Sequence, residues 1–200
     1  MATPTVTYGG LRSARLLAVG TAARIVLTPA VMWLILADDS ANDTGDYAVV
    51  AAVLFCVAAA TDWVDGRLAR RWGVTSKLGS FLDTTADKLL VSGVLIALIA
   101  VERASPWVAA LIIGRELVLM GLRGVIASEG AVMAPSMLGK LKTGIQFLAI
   151  GLAIIRPGDP VGGLYIDQWA MLAAALITVW SAADYLVRAV PSLTRGDTST

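Results

Sequence analysis

The chain has 200 residues, of which 57% are hydrophobic and 16% charged, with a mean hydropathy of +0.75. That leaves too few polar groups to coat a water-soluble globule, so a soluble enzyme is excluded. Basic and acidic residues number 16 and 15, so no large single-sign field exists to hold nucleic acid, and no nucleic-acid partner is expected.

A bilayer core about 30 Å thick takes about 20 apolar residues per helical crossing. Apolar stretches at 16–37, 47–70, 78–101, 106–127, 138–155 and 165–187 are each near that length. They predict an all-α integral membrane bundle of six transmembrane helices, a single domain over 16–190. Residues 1–15 are expected to form a short interfacial arm on the cytoplasmic face, with Arg12 and Arg15 near lipid phosphates. A cleaved signal peptide fits less well, because the apolar run after Arg15 is too long and is interrupted by Arg24. Turn chemistry separates the stretches, as in DDSANDTGD (38–46), RWGVTSK (71–77) and RPGDPVGG (156–163). Residues 191–200 read as a disordered polar tail.

Positive charge near helix ends favours the cytoplasmic side. The first, third and fifth loops hold only Arg103 and Arg156 as basic residues. The other loops, the termini and the adjoining helix ends hold Arg12, Arg15, Arg67, Arg70, Arg71, Lys77, Arg123, Lys140, Lys142, Arg188 and Arg195. Both termini and the second and fourth loops are therefore expected in the cytoplasm.

With a single cysteine, Cys56, and no histidine, the chain has no internal disulfide and no Cys/His set for zinc, so any metal must be held by oxygen ligands. Asp62, Asp65, Asp83 and Asp87 lie inside the second and third apolar stretches, where an unpaired carboxylate costs at least about 2–3 kcal/mol. Asp62 and Asp65 are three apart and Asp83 and Asp87 four apart, so each pair shares one helix face. Counted from Val74 in the turn, Asp65 and Asp83 are each nine residues away, and Asp62 and Asp87 twelve and thirteen. The two pairs therefore sit at nearly one depth, where divalent cations with oxygen ligands would relieve their repulsion. Gly66 and Gly79, each four residues from an aspartate, leave room beside the pairs, and Arg70 at the mouth is placed to meet a phosphate. Two other readings stand beside this one: salt bridges from Arg67, Arg70, Arg71 and Lys88, and a proton or ion pathway.

The order Asp62-x2-Asp65-Gly66-x2-Ala69-Arg70-x8-Gly79-x3-Asp83-x3-Asp87 resembles the signature of the CDP-alcohol phosphatidyltransferases, with every fixed position filled. The resemblance implies a six-helix membrane enzyme, usually a homodimer, that joins an alcohol to a phosphatidyl group taken from a CDP-linked donor and releases CMP. It implies that Asp62, Asp65 and Asp83 ligate metal, with Asp87 beside the metals as general base. It also implies that Asp62, Asp65, Gly66, Ala69, Arg70, Gly79 and Asp83 bind the CDP part. Two Mg2+ (or Mn2+) ions on the carboxylates would neutralise the pyrophosphate.

Thr21-x2-Arg24 with Pro29, Arg115-Glu116-x5-Leu122-Arg123 and Gly139-Lys140-x-Lys142-Thr143-x2-Gln146 resemble the branch of that family that uses sn-glycerol 3-phosphate as acceptor. The implied reaction takes CDP-diacylglycerol and sn-glycerol 3-phosphate to phosphatidylglycerol phosphate and CMP in a bacterial cell membrane. Arg115, Arg123, Lys140 and Lys142 are the candidate acceptor-phosphate residues, since an anionic acceptor needs a basic pocket and a neutral alcohol does not. Arg115, deep in an apolar stretch, needs an anion, which is either substrate or a structural partner such as Glu116. Thr143 and Gln146 either bond substrate or link helices. Inositol phosphate, phosphatidylglycerol and serine are the alternative acceptors; a cation or proton-coupled transporter is the alternative of another class.

Overall fold

The computed structural model describes residues 8–38, 45–72, 77–128 and 137–196, with side chains at 19–38, 45–61, 79, 81–128, 137–139 and 141–188. Among the described residues there are six helices: α1 (Tyr8–Leu36), α2 (Asp46–Trp72), α3 (Lys77–Ala100), α4 (Pro106–Ser128), α5 (Met137–Ile155) and α6 (Ile166–Gly196). Val19–Leu36, Met137–Ile155 and Ile166–Arg188 are long and apolar enough to cross a membrane. Apolar sequence favours helix there because hydrocarbon offers no partner for backbone N–H and C=O groups.

The helices fall where the apolar stretches place them, and the first and last run beyond those stretches. α1 begins at Tyr8, inside the expected arm, and α6 continues through Gly196 into the expected disordered tail. Once a helix is nucleated, each further residue adds a hydrogen bond at little cost, so polar flanks extend it without an apolar signal. Residues 1–7 and 197–200 lie outside the described residues.

A buried core joins α1 to α6 through Val31, Phe55, Leu90, Ile112, Ile150 and Ala174. Phe55 of α2 packs on Phe147 of α5 with ring centroids 5.4 Å apart. α1 and α3 run parallel and lie close at Gly93, where an added Cβ would lie 2.8 Å from Thr28 Cγ2 and 2.9 Å from Met32 Sδ. Thr28 has little freedom to move away, since its hydroxyl donates to the Arg24 carbonyl at 2.8 Å.

At the C-terminal ends of α3 and α5 the chain closes itself with two arginines. Arg103, just past α3, donates from Nη1 to the Ile154 carbonyl of α5 at 2.6 Å. Arg156, just past α5, donates from Nη2 to the Glu102 carbonyl at 3.1 Å. Each arginine satisfies a carbonyl at the end of the other helix, where intrahelical donors run out. Glu102 and Arg156 themselves hold φ of 57° and 40°, the left-handed turn that ends each helix. Asp38 stands 3.6 Å from Arg103, and Asp167, wholly buried, 3.7 Å from Arg156. Burial lowers the Arg103 guanidinium from its ordinary value, with Asp38 opposing, yet arginine stays charged at neutral pH. A cavity of about 520 Å³ opens at this end between Ile99, Arg103, Val108, Gln168 and Met171.

Gly93→Ala is expected to lower the melting temperature in detergent, at a cost of about 1–3 kcal/mol for forcing a methyl into the α1–α3 contact. Adding Thr28→Ser removes the obstructing methyl while keeping the hydroxyl, and should recover part of the loss. No recovery in the double variant would show that α1 and α3 are not in register at this point.

Candidate active site

Helix α3 supplies the two described carboxylates of the acidic motif. Asp83 and Asp87 stand one turn apart, with side chains 37% and 17% exposed. Because α1 lies close at Gly93, its Arg24 reaches across: Arg24 Nη1 donates to Asp83 Oδ1 at 2.8 Å, and Thr21 Oγ1 donates to the same oxygen at 3.3 Å. The Arg24 side chain is 1% exposed, so this arginine is committed to the protein interior. Lys88 Nζ donates to Asp87 Oδ2 at 2.7 Å.

Lys88 also leads away from the acids. Its ammonium lies 2.7 Å from Glu116 Oε2 on α4. The other oxygen, Oε1, accepts from Arg115 Nη1 at 2.8 Å and from Lys142 Nζ of α5. Arg115 Nη2 then donates to Ser181 Oγ of α6 at 3.0 Å. One continuous polar chain therefore runs from Asp87 through Lys88 and Glu116 to Lys142, Arg115 and Ser181, crossing four helices. Buried charges persist only when paired in this way.

The expected acceptor-phosphate residues divide. Arg115 and Lys142 converge on Glu116, which is the structural partner anticipated for Arg115. Arg123 does not join them; its guanidinium lies over the Tyr185 ring, 5.2 Å from the centroid. The side chain of Lys140 is outside the described residues, as are those of Asp62, Asp65, Ala69 and Arg70, which with Gly66 lie on α2. Gly79 is exposed one turn before Asp83. Thr143 is exposed and bonded back to the Gly139 carbonyl at 3.0 Å.

Salt-bridge partners for the acids were expected among Arg67, Arg70, Arg71 and Lys88. Lys88 does take that part at Asp87, whereas Asp83 is held by Arg24 from a different helix. The signal for Arg24 was its position, a lone guanidinium within an apolar stretch. Each pair engages one oxygen, and no described group donates to Asp83 Oδ2 or Asp87 Oδ1. Among the described residues no cluster of three or more metal-ligating side chains forms. Two carboxylates a turn apart, each with an uncommitted oxygen, are nonetheless the hard donors that Mg2+ takes, so these residues fit such an ion.

Glu116→Leu leaves Lys88, Arg115 and Lys142 facing one another, and is expected to cost about 3–5 kcal/mol of stability in detergent. Adding Lys142→Met should return part of that loss by removing one stranded charge. Equal losses in the single and double variants would show that Glu116 does not bind these cations together.

Comparison with known proteins agrees with the motif. The family model for CDP-alcohol phosphatidyltransferase matches residues 18–180. A Bacillus subtilis (strain 168) protein named CDP-diacylglycerol–glycerol-3-phosphate 3-phosphatidyltransferase is 40% identical over 174 residues, which cover 82% of this chain and 90% of that protein. A protein of the same name from Sodalis glossinidius (strain morsitans) is 43% identical over 143 residues, covering 69% and 77%. Another from Salmonella choleraesuis (strain SC-B67) is 40% identical over 154 residues, covering 74% and 80%. With most of its length matched and its acidic motif complete, the chain belongs to the CDP-alcohol phosphatidyltransferase family.

Proposed function

We propose that this protein is a phosphatidylglycerophosphate synthase, transferring the phosphatidyl group of CDP-diacylglycerol to sn-glycerol 3-phosphate. The observation that carries the choice of acceptor is the polar chain beside Asp87. It holds three cations, Lys88, Arg115 and Lys142, against two carboxylates, Asp87 and Glu116. A buried group with surplus positive charge calls for an anion, and an acceptor phosphate provides one where a neutral alcohol does not. The relatives at 40–43% identity carry the matching name.

In this reading Asp87 takes the proton of the acceptor 1-hydroxyl through the oxygen that Lys88 leaves uncommitted. The acceptor oxygen attacks the phosphorus joined to diacylglycerol, forming a new P–O bond. The P–O bond to CMP breaks, and CMP leaves with the electron pair. Arg115 and Lys142, with Lys140 at the same end of α5, hold the acceptor phosphate and align its 1-hydroxyl for attack. Arg24 and Thr21 fix the rotamer of Asp83, while Gly66, Ala69, Arg70 and Gly79 line the CDP part. Two Mg2+ (or Mn2+) ions held by Asp62, Asp65, Asp83 and Asp87 would supply charge neutralisation on the pyrophosphate. The reading includes six membrane crossings in a bacterial cell membrane, with both termini and the site at the cytoplasmic face. Two copies associate as a homodimer.

Purified protein supplied with CDP-diacylglycerol and Mg2+ should release CMP with sn-glycerol 3-phosphate. Turnover only with inositol phosphate, phosphatidylglycerol or serine would reassign the acceptor, and ion flux across sealed vesicles with no CMP release would favour a transporter. Chelation of divalent cations should abolish CMP release, and added Mg2+ restore it. Asp87→Asn should reduce turnover about 100- to 10,000-fold while leaving membrane insertion intact. Unchanged turnover in that variant would remove Asp87 from the reaction.

A further inference from the structure

Gln146 is 4% exposed, and its Oε1 is fully buried with no hydrogen-bond partner. No hydrogen bond to either end of its amide is found among the described residues. Buried polar groups are almost always satisfied, so an amide oxygen held at this depth without a partner needs a cause. The place of the residue suggests one. Gln146 stands one turn beyond Lys142 on the same buried face of α5. Lys142 belongs to the polar chain that ends on Asp87. α3 and α5 run parallel, joined at their C-terminal ends by Arg103. Counted back from that junction, where Arg156 bonds the Glu102 carbonyl, Gln146 stands ten residues before Arg156 and Asp87 fifteen before Glu102. At about 1.5 Å per residue the Gln146 backbone lies about 7 Å beyond that of Asp87, and a helical side chain leans toward its own N-terminus, so the amide extends back toward the carboxylate.

We infer that Gln146 is a specificity-determining residue that hydrogen-bonds the secondary hydroxyl of a phosphorylated polyol acceptor, the 2-hydroxyl in sn-glycerol 3-phosphate. This rests on the proposed reaction and deepens it. Arg115 and Lys142 grip the phosphate at one end of the acceptor, and Asp87 meets the 1-hydroxyl at the other. The 2-hydroxyl lies between those ends on a three-carbon chain. A primary amide can both donate to and accept from a hydroxyl, so it can read that group whichever way the amide is turned. Because the amide gives up no protein bond when the hydroxyl arrives, the gain exceeds that of an ordinary exchange of hydrogen bonds.

The test compares sn-glycerol 3-phosphate with 3-hydroxypropyl phosphate, which keeps the phosphate and the primary hydroxyl and lacks the secondary one. The wild-type protein should favour the natural acceptor by roughly ten- to a hundredfold in kcat/KM, the scale set by an otherwise unsatisfied buried amide. Gln146→Leu should bring the two acceptors within about threefold, through loss on sn-glycerol 3-phosphate alone. Its melting temperature should equal or exceed that of the wild type, since an apolar group replaces an unbonded amide. Gln146→Met, closer in shape, should behave alike. Preserved discrimination in either variant, or equal losses on both acceptors, overturns the assignment, as does failure of both variants to fold. Absence of turnover with sn-glycerol 3-phosphate in the wild type instead removes the reaction on which the assignment rests, and is recognised before any variant is made.

Discussion

A single carboxylate, Glu116, gathers cations from three helices. It stands deep in the bundle and is shared by an arginine of its own helix, a lysine of α3 and a lysine of α5. None of these cations is stable alone in an apolar interior, and each fixes the rotation of the helix that carries it. The same contacts give the site its character. Lys88 divides itself between Glu116 and Asp87, so the acid of the motif and the basic group behind it are parts of one electrostatic unit.

That unit sets acid and base side by side. Lys88 is bound by Asp87 on one side and, on the other, by Glu116 with its two further cations, Arg115 and Lys142. On α3 the change of sign takes a single step along the chain, from Asp87 to Lys88.

Much of this was legible in the amino-acid order. Six apolar runs place six helices, and the three- and four-residue spacing of the aspartates puts each pair on one face. Helix rotation was not legible. Arg123 reads as a partner of Arg115 because both are basic on α4, but eight residues amount to two turns and about 80° more, which carries Arg123 off the face of Glu116 and onto Tyr185. Arg24 reads as a charge without a destination until the close contact at Gly93 sets α1 against α3. Arg103 and Arg156 read as scattered loop charges, and their role depends on two helix ends meeting that lie more than fifty residues apart. The unbonded amide of Gln146 belongs to the same class: sequence places it one turn from Lys142, and only packing leaves it without a partner.

The reciprocal arginine caps have a mechanical consequence. With α3 and α5 tied to each other's ends, and Asp38 and Asp167 drawn into the same knot, that extremity of the bundle acts as a fulcrum. Any parting of these helices wide enough to admit a two-tailed lipid from the side must then grow toward the opposite extremity, where Asp83 and Asp87 stand.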